Sequence, residues 1–243
     1  MSKYLLLGAV MAAGIASAAA ANDGFYVAGG VGYNALGATN VRYYDVGGSL
    51  GGSGAQDSAE TTIRFKGAAS FRGTLGYDFG RFRGDLEIDY ARNKASSIQI
   101  NRLNGTAITT LTGGDAGDVC DYLEVAGCTV SGNTISFADG SRVRQLSALA
   151  NVWLDLPIGK SITPYVGGGA GIAGIEIDGE GKARFAWQLG AGVAFNLSDT
   201  VALTLDYRHR QISGTTIAYD ASSGFDIGRV RTNALTAGIR LTF

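Results

Sequence analysis

Few side chains in this sequence could carry out a reaction. His209 is the only histidine, and Ser213 follows it by four residues. A histidine base beside a serine nucleophile is the pairing that acyl transfer requires. The alternative is that His209 is an interfacial side chain with no catalytic role, and the sequence favours that interpretation.

Three acidic residues occur at alternate positions, Asp85, Glu87 and Asp89. Such a series could bind a metal or supply a general acid and base. On a β-strand, however, residues two apart lie on one face, where arginines on neighbouring strands can pair with them. Ion pairing is therefore favoured. One histidine and two cysteines are also too few for a structural zinc site, so we expect no metal, no cofactor and no catalytic residue.

Neither nucleotides nor nucleic acids are expected as ligands. The glycine-rich run VGGGAGIAG from Val166 is followed by no Lys-Ser or Lys-Thr pair and by no predicted helix, unlike a phosphate-binding loop. The chain has 20 Lys and Arg against 21 Asp and Glu, a formal charge of −1. A nucleic-acid binder needs a basic excess on one face.

Residues 1–21 differ from the rest of the chain. Lys3 precedes a short apolar stretch, YLLLGAVMAAGIA, and then SAAAA, the pattern of a signal peptide cleaved after Ala21. The alternative is an uncleaved membrane anchor, which the short leucine-rich part disfavours. Export leads to an oxidising compartment, so Cys120 and Cys128 can form a disulfide.

The mature chain, residues 22–243, alternates apolar and polar residues with a period of two, which predicts β-strands. The last strand is typical, because Leu235, Ile239 and Leu241 alternate with Thr236 and other small or polar residues. The predicted strands fall in eight runs: 25–33, 71–79, 83–90, 145–156, 164–175, 185–197, 201–210 and 234–243.

Short and long connections alternate between these runs. Tight links are expected at 80–81, 157–161 and 198–199, and polar stretches at 35–64, 96–141, 178–182 and 214–228. An even number of antiparallel strands with short turns at one end and long loops at the other is typical of an outer-membrane barrel. We therefore predict an all-β fold, an eight-stranded antiparallel up-and-down transmembrane β-barrel, with long extracellular loops at about 35–64 and 96–141.

The charged face of these strands is predicted to point inward. A charge at the bilayer midplane costs about 2 to 4 kcal/mol in a barrel, so a dozen cannot face lipid. In a barrel this narrow they would form an ion-pair network rather than line a channel. A soluble lipocalin-like barrel is the alternative fold and would invert the two faces. The inward set is Arg72, Asp78, Arg83, Asp85, Glu87, Asp89, Asp155, Arg184, Asp206, Arg208, Arg210 and Arg240.

The segments PYVGGGAGIA, FAWQLGAGVAFNLS and LTLDYRHRQI, together with the closing TNALTAGIRLTF, carry a family resemblance. The chain resembles the eight-stranded outer-membrane β-barrel superfamily of Gram-negative bacteria, which includes opacity-protein-like surface antigens. The resemblance implies that the barrel-assembly machinery reads the terminal aromatic and the apolar residues before it. Here these are Leu235, Ala237, Ile239, Leu241 and Phe243.

Three functions are compatible with this family. The first is a structural or adhesive surface protein whose loops contact an extracellular ligand, with Cys120 and Cys128 closing the tip of the second long loop. The second is a small, weakly conducting pore. The third is a lipid A-modifying enzyme, but lipid A deacylases of this fold place the serine two residues after the histidine, where this chain has Gln211.

Basic residues also lie on the outward face near the predicted extracellular ends of strands. Arginine binds phosphate with two parallel hydrogen bonds, so these residues could contact lipopolysaccharide as well as ordinary outer-membrane lipid. Interfacial snorkelling of long cationic side chains explains the same pattern. The residues are Arg92, Lys94, Arg142, Arg144 and Arg231.

Overall fold

The computed structural model of the chain describes residues 23–45, 57–112, 117, 120, 127–158, 160–177, 180–218 and 223–243. The predicted signal peptide, residues 1–21, lies outside the described residues. So does the glycine-rich GGSLGGSG segment that begins at Gly47.

Within these ranges the chain forms fifteen β-strands. In chain order they are β1 (Asp23–Leu36), β2 (Thr39–Asp45), β3 (Asp57–Lys66), β4 (Ala68–Phe79), β5 (Phe82–Leu103), β6 (Thr106–Ala107), β7 (Cys128–Ser131), β8 (Thr134–Phe137), β9 (Arg142–Asp155), β10 (Ile162–Ile177), β11 (Glu180–Asn196), β12 (Val201–Ile212), β13 (Thr215–Ala218), β14 (Ser223–Ile227) and β15 (Val230–Thr242).

Eight of these strands close into a barrel. The order around the ring is β1, β4, β5, β9, β10, β11, β12 and β15, and β15 pairs with β1. Every neighbouring pair is antiparallel. Each of the eight predicted runs falls on one of these strands, so the predicted barrel is confirmed.

The two faces of the wall have opposite chemistry. Gln188 on β11 and Asn151 on β9 are 1% and 3% exposed, whereas their apolar chain neighbours Leu189 and Val152 are 59% and 62% exposed. Because side chains alternate across a strand, the polar set fills the interior and the apolar set covers the outside. This is the arrangement that suits lipid rather than water outside the wall.

The two ends of the barrel differ in their connections. At the short-turn end, β4 and β5 are joined by two residues, and Gly80 takes a φ of 89° that favours glycine. The Asp78 carboxylate accepts a hydrogen bond from the Gly80 backbone N–H at 2.8 Å. The connections from β9 to β10 and from β11 to β12 are also short, as the predicted links at 157–161 and 198–199 required.

At the long-loop end, the predicted loops contain further strands. Parts of 35–64, 96–141 and 214–228 form β2, β3, β6, β7, β8, β13 and β14. With the upper part of β5 they make a sheet in the order β7, β8, β5, β3, β2, β14, β13, here called the outer sheet. Their alternation is weak because they need not cover lipid, so the sequence did not indicate them.

The predicted loop at 178–182 is wrong for residues 180–182. Strand β10 runs to Ile177 and β11 already begins at Glu180. Ile175 pairs with Lys182 and Ile177 with Glu180, because backbone pairing tolerates polar residues once a strand has left the apolar zone. No helix in the described ranges has the length and apolar character needed to cross a bilayer.

Candidate functional site

Most of the predicted inward charges are buried in the barrel. The exceptions are Asp78, half-buried near the short turns, and Arg184, half-buried near the long-loop end. Arg184 donates to Thr215 of β13 at 2.7 Å and so contacts the outer sheet. The buried residues are Arg72, Arg83, Asp85, Glu87, Asp89, Asp155, Asp206, Arg208, Arg210 and Arg240.

Glu87 lies at the centre of these charges. Its carboxylate accepts hydrogen bonds from Arg208, from Arg210 at 3.2 Å and from Gln188 at 3.1 Å. Asp89 accepts from Arg210 at 3.0 Å. Since β5 and β12 are diametrically opposite in the ring, these ion pairs span the lumen.

A third arginine joins the same group from β4. Arg72 donates to Asp206 at 2.7 Å and to Thr236 at 3.0 Å, and its Nε lies 3.7 Å from Glu87. Asp206 also accepts from Arg208 at 2.9 Å and from the Tyr165 hydroxyl at 3.2 Å. Multiple hydrogen bonds to each charge are what make a buried ionic cluster tolerable.

The charges nearer the short turns are held differently. Arg83 and Asp155 form two parallel hydrogen bonds of 2.7 and 2.8 Å, and the guanidinium lies 4.9 Å from the Tyr165 ring centre. Asp85 accepts from three neutral donors, Tyr26, Asn151 and Trp153, at 2.7, 2.7 and 2.8 Å. These aromatic and amide donors were not predicted, although all three lie at inward positions in the sequence alternation.

Arg240 is the least satisfied of the buried charges. Its guanidinium carbon lies 5.9 Å from the Tyr26 ring centre, and its Nε and Nη1 have no hydrogen-bond partner among the described residues. The nearby cavity, lined by charged and aromatic side chains, has a volume of about 40 Å³. That is room for a few water molecules.

Above the charges, toward the long-loop end, lies a layer of amides. Gln145 donates to Asn93 at 2.8 Å and accepts from Thr232 at 3.1 Å. Asn93 donates to the Lys66 carbonyl at 3.0 Å, which ties the lumen to the first strand pair of the outer sheet.

The outer mouth of the lumen is closed by apolar side chains. Leu36, Val143, Ala173, Ile212 and Val230 are each at most 7% exposed and belong to one cluster, supplied by five barrel strands. The sequence did not indicate this layer, because Leu36, Val143, Ile212 and Val230 lie beyond the ends of the predicted runs, whereas the strands of the structure extend far enough to include them.

The outer sheet has an apolar core of its own. Ala95, Ile100, Leu111, Ile135 and Phe137 are buried together. The predicted disulfide between Cys120 and Cys128 is present, with a Cα–Cα distance of 6.1 Å, and both cysteines pack against this core. The described part of the second long loop is therefore a packed, cross-linked unit.

The five predicted outward basic residues do not form one group. Arg92 pairs with Arg144 and Lys94 with Arg142 on β5 and β9, so four are adjacent. Arg231 lies on β15, three strands away around the ring, 3.5 Å from Gln211. Two acids accompany the four: Glu176 lies 2.7 Å from Arg144, and Asp139 lies 2.5 Å from Lys94.

The side chain of His209 contacts the amide of Asn233 and not the hydroxyl of Ser213. Its Nδ1 lies 2.9 Å from the Asn233 Oδ1, to which the Tyr207 hydroxyl also donates at 2.6 Å. The Trp187 ring centre is 5.9 Å away. Ser213 instead donates its backbone N–H to the Phe185 carbonyl. No nucleophile is among the contacts that the structure describes for His209.

The predicted assembly residues form one outward row. Leu235, Ile239, Leu241 and the terminal Phe243 are 39 to 54% exposed on β15 and at its end, and Ala237 is exposed between them. Within the described ranges no group of three or more His, Cys, Asp or Glu side chains could hold a metal ion. The Asp85, Glu87 and Asp89 series is engaged by the hydrogen bonds above.

Comparison with known proteins gives a family match and several remote likenesses. A model of the outer membrane protein beta-barrel domain matches residues 5–243. Uncharacterized proteins of Brucella abortus and Brucella suis are 31% identical over 170 residues, which is 61% of this chain and 53% of theirs. The match therefore spans about half the length of these relatives.

Among solved structures, Neisserial surface protein A is 17% identical, with 90% of this chain and 97% of that chain covered, and a TM-score of 0.48. The outer membrane protein OprG from Pseudomonas aeruginosa is 12% identical, with 92% and 97% covered and a TM-score of 0.48.

Proposed function

This chain belongs to the outer membrane protein beta-barrel family of the cell outer membrane, and from that premise we propose that it is a non-enzymatic surface-contact protein. In such barrels the short turns lie in the periplasm and the long loops outside. The barrel then serves as the anchor, and the outer sheet presents the surface that meets an extracellular ligand.

The observation that carries this proposal is the apolar core beneath the outer sheet. A loop that only connects two barrel strands needs no buried cluster such as Ile100, Ile135 and Phe137, and no disulfide. A surface ordered before binding loses less conformational entropy when a partner docks. The exposed strand β7, where Val130 is 40% exposed, is part of that ordered surface.

A binding experiment tests the role of the outer sheet. We would replace residues 104–137 with a short Gly-Ser linker and measure binding of host cells and extracellular matrix to the purified barrel. Deletion of residues 47–54, which lie in the chain between β2 and β3, is the matched control. We expect the replacement to abolish binding and the control deletion to preserve it, with heat-modified gel mobility confirming that both variants form barrels. Equal binding by all three proteins would contradict the proposal.

The lumen supports an anchoring role rather than conduction. The Glu87 and Asp89 ion pairs cross its axis, and the apolar layer around Val143 and Ile212 closes its outer mouth. A narrow barrel filled by side chains passes little current. We expect planar-bilayer recordings of the purified protein to show no steady conductance, and a persistent open channel would refute the plugged lumen.

The surroundings of His209 support the non-enzymatic part of the proposal. Acyl transfer needs a nucleophile within hydrogen-bond reach of the base, whereas His209 meets Asn233. Lipid A from cells that overproduce the protein should have an unchanged mass spectrum. Deacylated lipid A that disappears with the His209→Ala variant would show that the protein is an enzyme.

Biogenesis is proposed to depend on the exposed row that ends at Phe243. The row is outward and continuous, so an assembly machine could pair with it from the lipid side. Phe243→Ala should lower the amount of assembled barrel in the outer membrane, and Phe195→Ala, another exposed aromatic on the wall, serves as the control. Equal assembly of the two variants would argue against recognition of the terminus.

A further inference from the structure

A lysine on a third strand, β3, extends the group of basic residues on β5 and β9. Lys66 of β3 pairs with Lys94, and Lys94 pairs with Arg142, so three cations stand side by side on three adjacent strands. Arg92 and Arg144 form a second row two residues closer to the barrel. We call these five residues, Lys66, Arg92, Lys94, Arg142 and Arg144, the outer basic cluster.

The cluster has more positive charge than its neighbours balance. Like charges directly opposite on paired strands destabilise a sheet. The only carboxylates within 4 Å of its cations among the described residues are those of Asp139 and Glu176, which pair with Lys94 and Arg144. Five cations against two acids leave a local excess of three positive charges.

The pKa of Asp139, the acid in the middle of the cluster, reflects this excess of positive charge. The hydrogen bond from Lys94, with added attraction from Arg142 and Lys66, holds the pKa of the exposed Asp139 carboxyl below its usual value. Arg92 and Arg142 have no carboxylate within salt-bridge distance in the described ranges, and both are exposed. An anion supplied from outside the chain would stabilise both rows.

The height of the cluster on the wall indicates where that anion lies. On β9 the outward residues from Leu156 to Leu146 are mainly apolar, and Arg144 follows them. Twelve residues separate Leu156 from Arg144, which for a strand tilted by about 40° corresponds to roughly 30 Å along the membrane normal. The apolar band of such barrels is about 25 Å tall, so the cluster lies at the level of the outer headgroups.

From these observations we propose that the outer basic cluster binds the phosphate groups of lipid A, the membrane-embedded part of lipopolysaccharide. The cluster lies on the outward face of its strands, because its positions alternate with the buried Ala91, Asn93 and Val143. Arginine matches phosphate with two parallel hydrogen bonds. The cluster spans two inter-strand spacings, about 10 Å, which favours a headgroup that carries more than one anionic group.

Arg231 provides a matched control because it is an exposed arginine near the same end, three strands away from the cluster. We would compare wild type with the Arg92→Gln/Arg142→Gln double variant and with Arg231→Gln. Each protein is purified from outer membranes at 0.15 M salt, and its retained lipopolysaccharide is quantified by mass spectrometry. Heat-modified gel mobility shows whether each variant has formed a barrel.

We expect the double variant to retain about thirtyfold less lipopolysaccharide, since each basic side chain near an anionic membrane surface contributes about a fivefold factor. Arg231→Gln removes one charge outside the cluster and should lower retention by no more than about fivefold. Equal loss in both variants, or no loss in the double variant, would overturn the proposal.

Binding measurements with other lipids and with a soluble polyanion identify the anion that the cluster binds. Lipid A stripped of its phosphates should bind wild type and the double variant equally weakly, and equal strong binding would overturn phosphate recognition. Phosphatidylethanolamine vesicles without lipopolysaccharide should not distinguish the two proteins. If the double variant loses binding to a soluble sulfated polysaccharide but keeps its lipopolysaccharide, the cluster serves a soluble polyanion and the proposal fails. None of these results depends on whether the outer sheet contacts host cells.

Discussion

Neutralising Glu87 should destabilise the barrel more than removing any exposed charge. The Glu87 side chain is fully buried, and Arg208, Arg210 and Gln188 all donate to its carboxylate. The buried lumen holds five arginines and five acids. Glu87→Gln keeps the shape of the side chain but leaves one buried cation unbalanced. Breaking a buried pair in this way costs about 3 to 5 kcal/mol.

The control for this substitution is Glu176→Gln. Glu176 pairs with Arg144 at 2.7 Å, but 39% of its side chain is exposed. Exposed pairs contribute about 0 to 1 kcal/mol, so the same chemical change outside the lumen should have little effect. Reversible urea unfolding in lipid vesicles, followed by tryptophan fluorescence, measures both free energies of unfolding.

If Glu87→Gln costs less than about 1 kcal/mol, or no more than Glu176→Gln, then water and not the protein screens the lumen charges. A second variant, Glu87→Leu with Arg208→Met, removes both partners of one pair. It should recover much of the lost stability, because apolar replacements of a buried pair are often neutral or stabilising.

Three further predictions follow from packing, from the disulfide and from the outer basic cluster. Gly76→Ala should cost about 1 to 3 kcal/mol of unfolding free energy, because a methyl group there would lie 2.5 Å from the Tyr26 ring, whereas Gly73→Ala on the open outward face should be nearly neutral. Equal effects of the two substitutions would contradict the packed lumen. Serine at Cys120 and Cys128 should raise proteolysis of the second long loop in intact cells, since closing so short a loop contributes about 2.5 kcal/mol, while the barrel stays protected. Unchanged cleavage would mean that the apolar core alone orders the loop. Asp139→Asn should increase lipopolysaccharide retention by several-fold, because it removes one of two acids near the cluster, and decreased retention would count against the cluster as an anion site.

The barrel could be predicted from the sequence because lipid imposes a strict rule on each wall residue. Leu189 must face outward and Gln188 inward, so a period of two survives along the strand. Outside the membrane that rule no longer holds. Strand β2, TNVRYYD, and strand β3, DSAETTIRFK, cover no lipid, and their sequences read as polar loop although they pair along their full length.

The candidate sites were predictable in composition but not in pairing. Parity placed Glu87 and Arg208 inside, yet only the ring order makes β5 and β12 opposite and brings the two side chains together. The same limit applies to Lys66, whose position beside Lys94 depends on β3 replacing β4 as the neighbour of β5. Long-range pairing of this kind is set by strand register, which a single sequence does not encode locally.

Strand β5 runs for 22 residues without a break, from the short turn at Gly80 into the outer sheet. At about 3.3 Å per residue it is roughly 70 Å long, and it hydrogen-bonds to the barrel in its lower part and to β3 and β8 in its upper part. A mechanical load applied to the outer sheet is therefore transmitted through one continuous peptide backbone into the membrane wall. Force from a cell bound to this surface would act on a hydrogen-bonded strand rather than on an unstructured linker.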